Sequence, residues 1–164
     1  MMATTNVLYW PLRAVWQNIG MAEWFIRAAK NPEPGAARFY YIVAAAGGLW
    51  SAIDIYIHKV EARHKKASAK YPELKGSASR WFDRNERLVN WIRHGRVHYG
   101  EPVETATSFT PGGEPESITW VITVRGKHLE TTPIDEVITR MGAACERARD
   151  LIRAQTGEER VVFM

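Results

Sequence analysis

SASRWFDRNERLVNWIRHGRVH, Ser77 to His98, combines apolar residues at helical spacing with a dense cluster of cations at its end. Trp81, Phe82, Leu88, Val89 and Ile92 share one face when each residue turns the helix by about 100°, so an amphipathic helix is expected here. Ser77 or Ser79 can cap its first amide groups. Arg80, Arg84, Arg87 and Trp91 fall on a different face, His94 extends that row, and Arg93 lies at the edge of the apolar stripe. Continued without a break, the helix would drive Arg96 into the core between Val89 and Ile92, where an unpaired guanidinium is costly. The helix is therefore expected to end near Gly95, because glycine takes the left-handed conformation that closes helices. That break governs whether Arg93 and His98 can meet. A regular helix through His98 would hold the two side chains about 140° apart.

Upstream, Leu12, Val15, Trp16, Ile19, Trp24 and Phe25 recur at near-helical spacing from Pro11 to Lys30, interrupted by Gly20. Asn31 to Gly35, with two prolines and a glycine, stops that helix. A long helix is expected from about Ala36 to Lys66, with Phe39, Ile42, Val43, Ala46, Trp50, Ile53, Ile57 and Val60 on a core-facing stripe. Its charged end, Lys59 to Lys66, should project into solvent, and Tyr71-Pro72 and Gly76 turn the chain back. Phe39 to Ile57 is nearly long and apolar enough to cross a bilayer, but Ser51, Asp54 and the one-sided stripe favour a core helix over a membrane span.

Downstream, Glu104 to Thr110 and Ser117 to Arg125 are rich in Thr, Val and Ile and flank a Pro-Gly-Gly turn, the pattern of a β-hairpin. In the second run Ile118, Trp120, Ile122 and Val124 alternate with Thr119, Val121, Thr123 and Arg125, which gives one apolar face. Thr131-Thr132-Pro133 resembles a helix start, with threonine as cap and proline in the first turn. Ile134, Val137, Ile138, Met141, Ala144 and Leu151 mark the buried face of that last helix, Gly157 ends it, and Val161 to Phe163 form an apolar tail. The expectation is a mainly α single domain over residues 1–164, with the hairpin inserted at about 103–130 between the third and fourth helices.

A chain of 164 residues that is 46% hydrophobic has material for one well-filled core. The formal net charge of +4, with fifteen Arg among 22 basic residues, tolerates an anionic partner without demanding one. Cys145 is the only cysteine, which excludes an internal disulfide and a cysteine-based zinc site. Met1 to Trp10 has no basic start followed by an apolar run and a cleavage site, so the expected location is the cytoplasm.

Arg93 and His98 pair a permanent cation suited to planar phosphate contacts with a group that titrates near neutrality. Such a pair suits RNA cleavage: a neutral histidine accepts the proton of a ribose 2′-hydroxyl while arginine stabilises charge on the phosphoryl oxygens. Arg93, then the polar His94, then His98 resembles the motif of the HEPN proteins, whose ribonuclease members carry Arg, four to six residues, and His. The long helix bearing Ser51 and Asp54, the Trp81-Phe82 start and the position of the motif before an insertion are similar too, over roughly Ala36 to Ile152.

The resemblance implies a four-helix up-and-down bundle, dimeric, in which two motifs meet in a cleft and cut RNA without metal or other cofactor. Arg93 and His98 would be catalytic, His94 would orient them, and Asp54 or Ser51 on the neighbouring helix would support them. A toxin or antiphage-defence setting, with an antitoxin or other protein partner, belongs to the same implication. The hairpin is a departure from a bare bundle and can cover the motif or recognise a partner.

Plainer readings stand beside these. Arg93 and His98 can simply complement the negative end of a helix, and the domain can be a non-catalytic interaction or assembly module. His94 and His98 have the spacing of two zinc ligands, but no cysteine or nearby carboxylate completes a set. Arg80, Arg84 and Arg87 can track an RNA backbone or form a solvated face offset by Asp83 and Glu86. Trp91, on the arginine face, is the tryptophan best placed to stack on a base or enter an interface.

Overall fold

The computed structural model describes residues 10–31, 35–60, 77–94, 103–124 and 130–156. They form a mainly α, multi-helix bundle with a small antiparallel sheet: α1 (Trp10–Ala29), α2 (Gly35–Ile55), a π-helical turn (Tyr56–Val60), α3 (Ala78–Asn85), α4 (Arg87–His94), β1 (Val103–Phe109), β2 (Pro115–Val124), β3 (Glu130–Pro133) and α5 (Ile134–Thr156). The charged stretch beyond Val60, the turn at Tyr71-Pro72, the Gly95 break with Arg96 and His98, and the tail at Val161 to Phe163 lie outside the described residues.

α2 is central, packing along α1 and against α4 and α5. A helix enclosed on several sides must be apolar over more than one stripe. Accordingly its buried set, Phe39, Ile42, Ala45, Ala46, Leu49, Ala52 and Ile53, is broader than the expected face, while Val43 and Trp50 are only partly buried. Trp16 and Ile19 of α1, Phe82 of α3, Leu88 of α4 and Ile134, Met141 and Ile152 of α5 complete one core. The stretch Ala37–Val60 is long and apolar enough to cross a bilayer, and half of its tested window is buried inside the bundle.

Gly20 does not interrupt α1, which is continuous from Trp10 to Ala29. A lone helical glycine costs about 1 kcal/mol relative to alanine, less than the burial of Val15, Trp16, Ile19, Ala22 and Ile26 on both sides of it returns. Gly48 matters more, because it marks the close approach of α2 to α1: a Cβ there would lie 3.2 Å from the Asn18 carbonyl oxygen and 3.3 Å from Met21 Cε. Gly48→Val is expected to cost about 1–3 kcal/mol in urea unfolding, whereas Gly47→Ala, whose Cβ meets nothing within 4 Å, should be neutral or slightly stabilising.

The expected single third helix is two helices. Glu86, with φ −162° and ψ 82°, separates α3 from α4. Its backbone N–H donates to the Phe82 carbonyl at 2.8 Å, closing α3, and its carboxylate accepts from the Leu88 amide at 3.2 Å, capping α4. From α5, Arg140 binds the same carboxylate through Nη2 at 2.7 Å and Nε at 3.2 Å, and Arg147 donates to the Asn85 carbonyl at 2.8 Å. The break is therefore fastened by residues more than fifty positions away.

Other arginines fasten the remaining helices. Arg149 of α5 grips Glu23 of α1 at 2.5 and 3.1 Å. Arg38 of α2 donates to the last carbonyl of α1, Ala29, at 2.9 Å and pairs with Asp135 in the first turn of α5.

β1 and β2 pair antiparallel from Val103↔Ile122 to Phe109↔Pro115. The turn closes on Thr110, whose carbonyl accepts from Gly113 N at 2.9 Å, and Gly113 takes φ +84°, a conformation that favours glycine. Thr131-Thr132-Pro133 is not the start of α5. These residues form β3, which pairs antiparallel with β2 as far as Val121↔Pro133, and the helix begins at Ile134. β-Branched threonines favour the extended backbone, and proline is tolerated on an edge strand.

Candidate functional site

The end of α4 lies against the middle of α2, and aromatic contacts define the meeting point. The Arg93 guanidinium carbon sits 3.7 Å from the centre of the Trp50 ring. The His94 ring meets the same tryptophan edge-on, at 6.5 Å and 84°. Ser79 of α3 places its hydroxyl 3.4 Å from His94 Nε2. Arg93, His94, Trp50 and Ser79 are each half-buried.

Among the described residues Arg93 makes no ion pair, and its guanidinium rests over the indole ring of Trp50. Stacking occupies the flat side of the guanidinium and leaves its N–H donors pointing outward in the plane, the edge that binds phosphate or carboxylate.

Ser51 and Asp54 are half-buried on α2, but Asp54 faces along its own helix, with Oδ1 3.4 Å from His58 Nε2. No ion pair joins Asp54 to Arg93 among the described residues. His98 lies outside the described residues, and with it the Arg93 to His98 separation.

Arg80, Arg84 and Arg87 are exposed. The carboxylates expected to offset them are engaged elsewhere: Glu86 with Arg140, and Asp83 with the Asn90 amide at 3.0 Å. Arg87 instead stacks over Trp91 at 4.9 Å. The helix break at Glu86 divides the arginine row between α3 and α4.

By pattern Trp50 belongs to the core stripe and Ser79 only to capping, a role filled by Ser77, which accepts from Arg80 N at 3.3 Å. Their part in the cluster depends on the packing of α4 on α2, which no local sequence pattern carries.

No group of three or more metal-ligating side chains gathers among the described residues. Cys145 is a packing residue, not a nucleophile. Burial pushes its thiol up to about 12, and the nearby Glu23 carboxylate adds to the shift. Native protein should resist a thiol reagent at pH 8 and react once unfolded in urea; rapid native labelling would show the site to be open.

The chain matches no protein-family model, no curated protein and no solved structure.

Proposed function

We propose that this chain is a HEPN-like, metal-independent endoribonuclease of toxin or antiphage-defence type. In this reading the bundle is the four-helix up-and-down type with the sheet as an insertion, and it works as a cytoplasmic homodimer. The observation that supports it best is the Arg93 guanidinium, laid on Trp50, half-exposed and without an ion pair among the described residues.

His98 accepts the proton of the 2′-hydroxyl, and that oxygen attacks the adjacent phosphorus. The bond to the 5′-oxygen breaks, the leaving oxygen takes a proton, and a 2′,3′-cyclic phosphate remains. Arg93 stabilises the charge gathering on the non-bridging oxygens. His94, held by Ser79 and Trp50, orients the pair, with Ser51 and Asp54 in support. Arg80, Arg84 and Arg87 carry flanking phosphates, and Trp91 stacks on a base. The test is cleavage of unstructured RNA in excess chelator, where activity is expected to persist.

A second reading, a non-catalytic interaction module, is favoured by one observation. Trp10, Trp24, Tyr40 and Phe109 are each more than half exposed, aromatic side chains that a protein partner could cover. Wild-type protein that leaves RNA intact with and without divalent metal would favour this reading.

A further inference from the structure

Trp50 is held in a way that packing alone does not explain. Its indole N–H is buried yet has no hydrogen-bond partner among the described residues, an arrangement that costs free energy. What it gains is aromatic contact: the guanidinium of Arg93 over its ring at 3.7 Å, and the ring of His94 set perpendicular to it at 6.5 Å. A cation on an indole face is attracted by the ring quadrupole, more strongly as water is excluded, and both residues here are half-buried. Arginine otherwise loses much rotamer freedom on binding an anion, and a guanidinium already laid flat has lost part of it beforehand.

We propose that Trp50 is the positioning residue for Arg93, holding its guanidinium as a pre-oriented two-pronged receptor for a pair of phosphate oxygens. This rests on the assignment of Arg93 as a phosphate ligand and deepens it, because it makes the second helix, rather than the motif alone, responsible for the geometry of the site. Ser79 acts beside it by restraining His94 against the same indole.

The test is titration of the protein with inorganic phosphate, followed through the Arg93 Nε–H resonance, which is assigned by its loss in Arg93→Lys. In the wild type that resonance should lie upfield, displaced by the indole ring current, and should move as phosphate binds. Trp50→Leu keeps an apolar side chain but removes the platform: the displacement should vanish and phosphate affinity fall about five- to tenfold. Trp50→Phe should stay within about threefold of wild type, since a smaller aromatic face remains. Arg93→Lys keeps the charge and loses the planar fork, and should bind phosphate about as weakly as Trp50→Leu.

Equal phosphate affinity in wild type and a folded Trp50→Leu protein, or an Arg93 resonance indifferent to phosphate, overturns the proposal. If Trp50→Leu does not fold, the wild-type Arg93 resonance decides: an upfield displacement that changes as phosphate binds supports the stacked fork, and a resonance at the position of an unstacked arginine overturns it. Wild-type protein that shows all the phosphate effects but cuts no RNA would end the ribonuclease reading and leave the role of Trp50 standing.

Discussion

Arg93→Ala protein is expected to cut RNA about 10²–10³-fold more slowly than wild type, the usual scale for losing one transition-state charge stabiliser. His98→Ala should lose about 10²–10⁴-fold, the range of a general base. Neither loss should come from unfolding in the case of Arg93, whose stacking on a half-buried indole is worth about 0.5–2 kcal/mol. Because the two residues serve one step, the double variant should be hardly slower than the worse single variant. Single-turnover rates on one RNA, with circular dichroism as the check on folding, measure all three. Rates within about threefold of wild type would remove both residues from the reaction.

Glu86→Ala is expected to be the most destabilising surface-accessible change, at about 2–3 kcal/mol in urea unfolding. The Glu86 side chain is 10% exposed and that of Arg140 27%, so the pair is shielded but not sealed, and its loss should fall below that of a fully buried pair. Two functions go together: the cap on the Leu88 amide and the two-pronged grip of Arg140. The carboxylate of Glu136, 4.0 Å from Arg140, is too distant to replace the lost grip in full. Glu86→Gln retains an oxygen for the cap and should cost roughly half as much. Since α4 carries Arg93, slippage of its start should also lower RNA cleavage in Glu86→Ala protein that remains folded.

The helical elements were legible because their apolar faces repeat at helical spacing: Leu12, Val15, Trp16 and Ile19 in α1, and Val137, Ile138, Met141 and Ala144 in α5, are all buried, although Trp24, read with the first set, is exposed. The break at Glu86 was not. No glycine or proline marks it, and it is made by Arg140 and Arg147, which belong to a different helix. β3 was hidden for a similar reason. Thr131-Thr132-Pro133 is locally a good helix start, and only the neighbouring strand β2 makes it extended.

The same division applies to the candidate site. Arg93 was singled out from its spacing to His98, and His94 from the resemblance of the motif, both of which are local. The contact with Trp50 was not, since a tryptophan on an apolar stripe reads as core until a second helix is laid on it. Asp83 and Glu86 looked like partners of the arginine row by helical spacing, yet Asn90 and Arg140 take them.

In the proposed reaction the new 3′ end would record how the RNA backbone is broken. Wild-type protein incubated with RNA in excess chelator should release fragments whose mass shows a 2′,3′-cyclic phosphate, the product of attack by the neighbouring 2′-hydroxyl. Fragments ending in a 3′-hydroxyl, with the phosphate on the other piece, would mean that water attacked instead, and would contradict the roles given to Arg93 and His98.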